Sequence, residues 1–355
     1  VPRLTRATIT AADRPLFRDD ASYLVTGAFG AIGRQLTRWM VDNGVRHLVL
    51  VGRNAGASEA GLTIAADVTD PEDVARVFAE AAAKMPPIRG IFHAAGTLDD
   101  ALLADLTWER FERVLRPKVD GTRNLHQQSI ALDLDYFVCF SSAASMIGSR
   151  GQASYAAANA FMDALIHHRR RLGLPGLSIN WSAWAGEGMA KDFTSTGFDP
   201  LPPATALDLL GRIMRTGAAQ LGVIPADWPQ VLGAWFDDPP PLFANLAGPQ
   251  RVAARERLLP VLERAQPDGR RRMLEDHLRG LIISTMGRDP FPSPANDLSF
   301  FELGMDSLMS LDLRNRLQTD LDSTLPSMVA FEYPTIPELA DYLIGRVLPA
   351  EMFTT

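Results

Sequence analysis

The stretch from Tyr23 to Gly33, Y-L-V-T-G-A-F-G-A-I-G, limits the possible folds more than any other part of the chain. A short apolar run (Tyr23, Leu24, Val25) ends at Thr26 and leads into Gly27, Gly30 and Gly33. The residues after it, R-Q-L-T-R-W-M, place Leu36, Trp39 and Met40 on one side of a helix. The pattern predicts strand, tight turn, helix. In such a unit the first glycine permits the turn and the second lets backbone approach a pyrophosphate. The third packs helix on strand, and the helix N-terminus offers unpaired N–H groups to the anion. Three glycines can also mark a plain turn, so the residues downstream have to decide between the two.

Downstream the chain alternates regularly. His47–Val51 is a second apolar strand, ending in Gly52-Arg53-Asn54, and Leu62–Ala66 a third, ending at Asp67 and Val68. A helix is expected over Pro71–Lys84, with proline in its first turn and Glu72 and Asp73 at the positive end of its dipole. A fourth strand begins at Gly90 and runs into the small-residue turn His93-Ala94-Ala95-Gly96. Next come a helix bent at Pro117, a fifth strand Tyr136–Phe140 ending in Ser141-Ser142, a long helix from Gly151, and a sixth strand Leu177–Trp181. This rhythm predicts an α/β, Rossmann-type doubly wound parallel sheet, whose ligands bind beyond the C-terminal strand ends.

Those ends gather the candidate cofactor residues: Thr26, Gly27, Phe29, Gly30, Ile32 and Gly33 at the first turn, Asp67 and Val68 after the third strand, His93, Ala94, Ala95 and Gly96 after the fourth. At the second strand a free ribose 2′-hydroxyl calls for a carboxylate and a 2′-phosphate for a cation. The chain offers Arg53 and no acid before Glu59, which favours NADPH over NADH. Reduction of a carbonyl needs a proton donor at the oxygen. Tyr155 can donate from its phenol, a nearby cation such as Lys118 is expected to lower its pKa, and Ser142 can hold the same oxygen. Asn159, four residues after Tyr155, shares its helix face. Singly, these are ordinary core, turn and surface residues; together, downstream of the glycine turn, they read as a site.

Bulk properties narrow the function classes. The chain has 355 residues, 46% of them apolar, enough for two domains. No run approaches the ~18 apolar residues of a membrane span, and V-P-R-L-T-R-A-T at the start lacks an apolar signal segment. A net charge of −7 argues against a nucleic-acid partner. The single Cys139 lies in an apolar run and fits a reducing cytoplasm. His167-His-Arg-Arg-Arg171, closing a helix, is expected to be a solvated face suited to the helix dipole rather than a metal site. No metal site is expected.

The blocks T-G-A-F-G-A-I-G, H-A-A-G-T-L-D-D, R-P-K-V-D-G-T, F-S-S-A-A-S-M-I-G-S-R-G-Q-A-S-Y-A-A-A-N and S-I-N-W, in order, resemble the ketoreductase domains of modular polyketide synthases, within the short-chain dehydrogenase/reductase superfamily. The resemblance covers roughly residues 20–248. It implies Tyr155 as catalytic acid, Ser142 as its partner at the oxyanion, and Lys118 with Asn159 as the exchanged lysine/asparagine pair of these enzymes. It also implies a companion structural half upstream, so residues 1–20 read as a linker leaving that half and an extended chain is expected to be more stable. Leu98-Asp99-Asp100 matches the element of the class that makes the 3R alcohol, and Ile147 stands where the opposite class carries tryptophan. Asp99 and Asp100 are also expected to cap the next helix. A glycine-rich stretch from Trp184 to about Asp199 reads as a cover over the site.

From Arg270 the pattern is purely helical, with Thr335-Ile-Pro-Glu338 a capping box. L-G-M-D-S-L-M-S-L-D-L-R-N-R-L, with F-E-Y-P-T after it, resembles the acyl carrier domains of polyketide synthases, a small four-helix-type bundle. That resemblance implies 4′-phosphopantetheine on Ser307, placed by a phosphopantetheinyl transferase, with an acyl thioester and other synthase domains as partners; Ser307 alone would read as a helix cap. The expected organisation is linker 1–20, ketoreductase 21–248, linker 249–268, carrier 269–348 and tail 349–355. Two other readings, a chain-terminal thioester reductase and a non-catalytic scaffold, are disfavoured. The first calls for lysine in place of Asn159, and the second does not need an intact Tyr155, Ser142 and Lys118.

Overall fold

The computed structural model describes residues 2–9, 15–56, 58–149, 151–186, 198–236, 239–247, 258–286, 298–305 and 307–353. Its strands are β1 (Ser22–Thr26), β2 (His47–Gly52), β3 (Leu62–Ala65), β4 (Ile88–His93), β5 (Tyr136–Ser142), β6 (Leu177–Trp181) and β7 (Gln220–Val223). They form one sheet in the order β3-β2-β1-β4-β5-β6-β7, with every pair parallel. The order reverses between β1 and β4, so the two crossovers leave a crevice at their C-terminal ends.

Side chains alternate between the two faces, as the pleat requires. Tyr23, Val25, Leu48, Leu50, Phe92, Val138 and Phe140 point to one core, where α1 (Ala31–Asp42) contributes Leu36 and Met40 and α6 (Pro203–Ile213) contributes Leu207 and Leu210. Leu24, Val49, Val51, Ile91, Phe137 and Cys139 point to the other. That face is covered by α2 (Pro71–Lys84), α3 (Trp108–Ser129) and, after the short α4 (Ala144–Ile147), α5 (Ala153–Arg171). Each fully buried aliphatic or aromatic side chain there contributes roughly 1.5–3 kcal/mol. The helix α2 has the expected bounds, with Asp70 accepting from the Glu72 amide at 2.8 Å.

Several expectations are corrected. Leu16 is buried in the sheet core, Phe17 meets Tyr23 edge-on at 5.0 Å, and the Arg18 amide donates to the Tyr23 hydroxyl at 2.8 Å. The last part of the expected linker 1–20 is therefore part of the domain. Pro117 lies inside α3, which runs uninterrupted from Trp108 to Ser129. Arg169 is not solvated but fully buried: its Cζ lies over the Phe137 ring, 3.9 Å from the centroid. Its Nε donates to the Pro175 carbonyl, while Nη1 meets His126 Nδ1 at 2.9 Å. Burial without a carboxylate draws its pKa down to about 10.

The expected boundary is 248, but the chain divides into two compact units earlier: among the described residues, one takes residues 5–226 and the other residues 2–4 together with the chain from Asp227 onward. Just past that point α7 (Trp228–Trp235) is capped by Asp227, and the rings of Phe236 and Trp228 pack on Phe243 at 5.7 and 6.1 Å. The helical core is built from α8 (Leu258–Arg264), α9 (Pro267–Met286), α10 (Ser307–Leu321), α11 (Val329–Glu332) and α12 (Ile336–Arg346). Leu258 and Leu262, expected in a linker, and Met352, expected in a tail, are all buried in it. A pair of leucines four residues apart is an amphipathic stripe, and it found a core to join. Thr335 caps α12 by accepting from the Glu338 amide at 3.3 Å, and its hydroxyl donates to the Glu338 carboxylate at 2.9 Å, so the half of the capping box that caps the helix is present. Among the described residues no helix is long and apolar enough to cross a membrane.

Candidate active site

Because all strands are parallel, Thr26, Gly52, Ala65, His93 and Ser142 end on the same edge of the sheet. The glycine turn sits at the switch point. Gly27 has φ +69°, and a Cβ there would lie 2.7 Å from the Ala95 amide nitrogen, so both conformation and close approach demand glycine. A Cβ on Gly33 would sit 2.1 Å from the Gly27 carbonyl oxygen, which is how α1 packs so tightly on the turn. Gly30 caps α1 with no side-chain bond, and the first turn of that helix carries no acid. The N-terminal amides of α1 thus face the crevice without a competing carboxylate, which fits the pyrophosphate of a dinucleotide.

The flanking candidates frame this turn. Thr26 Oγ1 lies 2.7 Å from His93 Nδ1, and the Ala94 amide donates to the Thr26 carbonyl at 3.1 Å. Burial first, and then the Lys118 charge, draws the His93 pKa down to about 3, so the ring is neutral. Phe29 lies against Gly52, and Arg53 next to it is exposed, with no ion-pair partner among the described residues. Ile32 is partly buried in α1. Asp67 accepts from the Thr69 amide at 2.9 Å, and the Val68 carbonyl accepts from Asn124 at 3.0 Å. Gly96 lies over the Lys118 chain: a Cβ there would meet Lys118 Cε at 3.0 Å.

The structure brings the four candidate catalytic residues together from β5, α3 and α5. Lys118 is buried, its Nζ donates to the Phe140 carbonyl at 3.1 Å, and it lies 5.5 Å from the Tyr155 ring centroid. Burial draws its pKa down to about 8, against the opposing influence of Cys139 and Asp163. Burial pushes the Tyr155 phenol up, while hydrogen bonds with Ser142 and Asn159 pull it back. Burial outweighs the groups that pull it down, so the net displacement of the phenol is upward and not the lowering expected. Ser142 Oγ accepts from the Ala144 amide at 3.2 Å, which leaves its proton free to be donated outward. Asn159 is fully buried and donates to the Tyr155 carbonyl at 2.7 Å.

Asp99 and Asp100 do not cap the next helix, because Thr107 caps α3. Asp99 is instead clamped by Arg110 at 2.6 Å and Arg113 at 2.9 Å, and the Arg110 bond holds its carboxyl below the usual range. Asp100 accepts from Gln152 at 2.9 Å, tying the Leu98–Asp100 segment to the residues just before Tyr155. The expected cover lies largely outside the described residues, at 187–197. In the second unit α10 begins at Ser307, after a turn at Gly304 with φ +99°.

Sequence reasoning missed the clamping arginines, and it missed Asp163, Asn180 and Ser145 behind Ser142. Asp163 had a signal: it continues the Tyr155–Asn159 spacing on a helix face whose neighbours Met162 and Ile166 are core.

A parallel sheet with its switch point at a glycine turn is a Rossmann-type fold. Residues 21–186 match the KR domain family and residues 276–343 the phosphopantetheine attachment site family. The chain is 37% identical, over 94% of its length, to a phenolphthiocerol synthesis polyketide synthase type I (Pks15/1) of Mycobacterium marinum, and spans 18% of that protein. A solved A1-type ketoreductase aligns with TM-score 0.63 at 34% identity, covering 69% of this chain and 56% of that one. A C2-type ketoreductase from a modular polyketide synthase aligns with TM-score 0.62 at 30% identity, covering 69% and 57%. The chain thus belongs to the polyketide-synthase family, as a ketoreductase domain joined to a phosphopantetheine carrier domain.

Proposed function

We propose that the chain reduces a β-ketoacyl thioester to the (3R)-β-hydroxyacyl thioester, with NADPH as reductant and the acyl chain borne on 4′-phosphopantetheine at Ser307. The observation that carries the reading is that β5, α3 and α5 bring Ser142, a buried Lys118 and Tyr155 with Asn159 together, Lys118 Nζ 5.5 Å from the Tyr155 ring centroid, at the edge where the glycine turn opens. When bound, the nicotinamide supplies the hydride. Tyr155 gives its proton to the substrate oxygen as negative charge gathers there. Ser142 donates a hydrogen bond to the same oxygen, where preorganised donors count most. The Lys118 ammonium over the ring favours the phenolate left behind, and Asn159 holds the Tyr155 backbone. Gly30 and the open start of α1 support a pyrophosphate site, and Arg53 supports preference for a 2′-phosphate.

The fold is shared by ketoreductases described as A1-type and C2-type, so the product configuration rests on the loops. Leu98-Asp99-Asp100, with Asp99 held by Arg110 and Arg113 and Asp100 by Gln152 just before Tyr155, supports the reading that this segment favours the entry mode yielding 3R. Each ~1.4 kcal/mol between entry modes is tenfold in selectivity. A phosphopantetheinyl transferase would load Ser307, other synthase domains would supply and accept the acyl chain, and a reducing cytoplasm suits the buried Cys139. Consumption of NADPH with a β-ketoacyl thioester, and then chiral chromatography of the released alcohol, tests both parts. No consumption overturns the reductase reading, and a predominantly 3S alcohol overturns the assignment to Leu98–Asp100.

A further inference from the structure

Behind the Ser142 turn lies a buried polar cluster that takes no direct part in the reduction. Asp163 comes eight residues after Tyr155 and four after Asn159 on α5, so all three face the sheet. Its carboxylate is nine-tenths buried. Oδ2 lies 2.7 Å from Ser145 Oγ and accepts from Asn180 Nδ2 at 2.8 Å, and Oδ1 accepts from the Ser178 hydroxyl. The same two groups meet Ser142. Its carbonyl oxygen lies 2.8 Å from Ser145 Oγ and 3.2 Å from Asn180 Nδ2.

Donor chemistry sets the directions of these bonds. An ionised carboxylate only accepts, so it orients the donors around it. Gln220 Nε2 donates to Asn180 Oδ1 at 3.1 Å, which turns the Asn180 amino group toward Asp163 and Ser142. Ser145 Oγ receives that amino group at 2.7 Å and has one proton for the two oxygens it faces. Nothing in this set binds the substrate oxygen. The cluster grips the first turn after β5, whose Ala143 amide is held by the Trp181 carbonyl at 2.8 Å and whose Ala144 amide holds Ser142 Oγ.

We propose that Asp163 is a positioning residue for the reduction: through Asn180 and Ser145 it fixes the Ser142 turn so that the Ser142 hydroxyl faces the substrate oxygen beside Tyr155. This role rests on the chain being a working ketoreductase. The charge of Asp163 also favours the ammonium form of Lys118.

The test uses the full chain and two readouts, turnover and amide hydrogen exchange at Ala144. Asp163→Asn keeps the shape and removes the acceptor-only character. It is expected to lower kcat on the order of tenfold or more, since small misplacements of catalytic groups cost rates of that size, while the KM for NADPH stays within about twofold. Ala144 exchange is expected to quicken by at least about tenfold. In a Ser142→Ala background the same change should cost less than about twofold, because the hydroxyl being positioned is gone. Ser145→Ala and Asn180→Ala should show the same pattern, with Ser145→Thr recovering most of the loss; they carry the test if Asp163→Asn does not fold. Unchanged kcat and exchange in an active protein, or an equal loss in both backgrounds, overturns the proposal. An inactive wild-type chain whose Ala144 exchange still quickens in Asp163→Asn removes the reductase reading and leaves the clamp.

Discussion

The reductase unit and the helical unit differ in what they bury. Beneath the sheet edge the first encloses His93, Lys118, Asn159, Asp163 and Asn180, each held by named partners. The second encloses leucine, isoleucine, methionine and phenylalanine, and Ser310 is its one fully buried polar residue among those described. Burying a lysine is unfavourable unless the site uses it, and here burial has already moved its pKa down to about 8. Among its described residues the helical unit buries no charged side chain in this way; a carrier needs only a serine at the start of a helix and a core stable enough to present it. Catalysis asks a fold to keep polar groups where water would otherwise take them; carriage does not.

That contrast can be broken most decisively at its two reactive hydroxyls. Tyr155→Phe is expected to abolish reduction while nucleotide affinity, read by fluorescence titration, stays within about twofold, since only the proton donor is lost. Ser307→Ala should abolish the mass gain produced by a phosphopantetheinyl transferase, with helix content by circular dichroism unchanged. A mass gain that persists would place the arm elsewhere. Next in size comes the helical core: Leu262→Ala should destabilise by about 2–5 kcal/mol in urea melts if α8 belongs to that core, and by almost nothing if it is a linker.

Lys118→Met sharpens the comparison from the other side. Between pH 8 and 10.5 the unfolded chain retains a proton that the folded chain has released, so Lys118 makes stability rise with pH there. Below pH 8 both states hold the proton and the penalty is present in full. Replacing the buried charge by an apolar chain of similar size is therefore expected to stabilise at pH 7 by about 1–4 kcal/mol and to flatten that rise. Wild-type activity should fall across the same window as the ammonium is lost, so rate and stability move in opposite directions. The smallest effect is expected at the surface: Arg53→Ala should raise the KM for NADPH about tenfold to a hundredfold, the equivalent of about 1.5–3 kcal/mol, and leave that for NADH nearly unchanged. Equal changes for both nucleotides would make Arg53 an ordinary surface residue.

The sequence by itself determined the alternation of strands and helices, the glycine turn, the start and stop of α2, and the Thr335 cap of α12. Each of these depends on residues within a few positions of one another, through side-chain period, proline and glycine geometry, or a local hydrogen bond. It also put Tyr155 and Asn159 on one face, because helical spacing is local. Only the tertiary structure decided where the buried charges went. Arg169 in a basic run looks solvated until Phe137, His126 and Pro175 close around it. Asp99 looks like a cap until Arg110 and Arg113 reach it from α3. Lys118 reads singly as a surface lysine until it is found buried, its Nζ held by the Phe140 carbonyl near the Tyr155 ring. Asp163, Asn180 and Ser145 come from three separate elements and meet behind Ser142 only because β5, β6 and α5 pack together. Desolvation and long-range hydrogen bonds belong to the assembled core, and no local pattern in the chain encodes them.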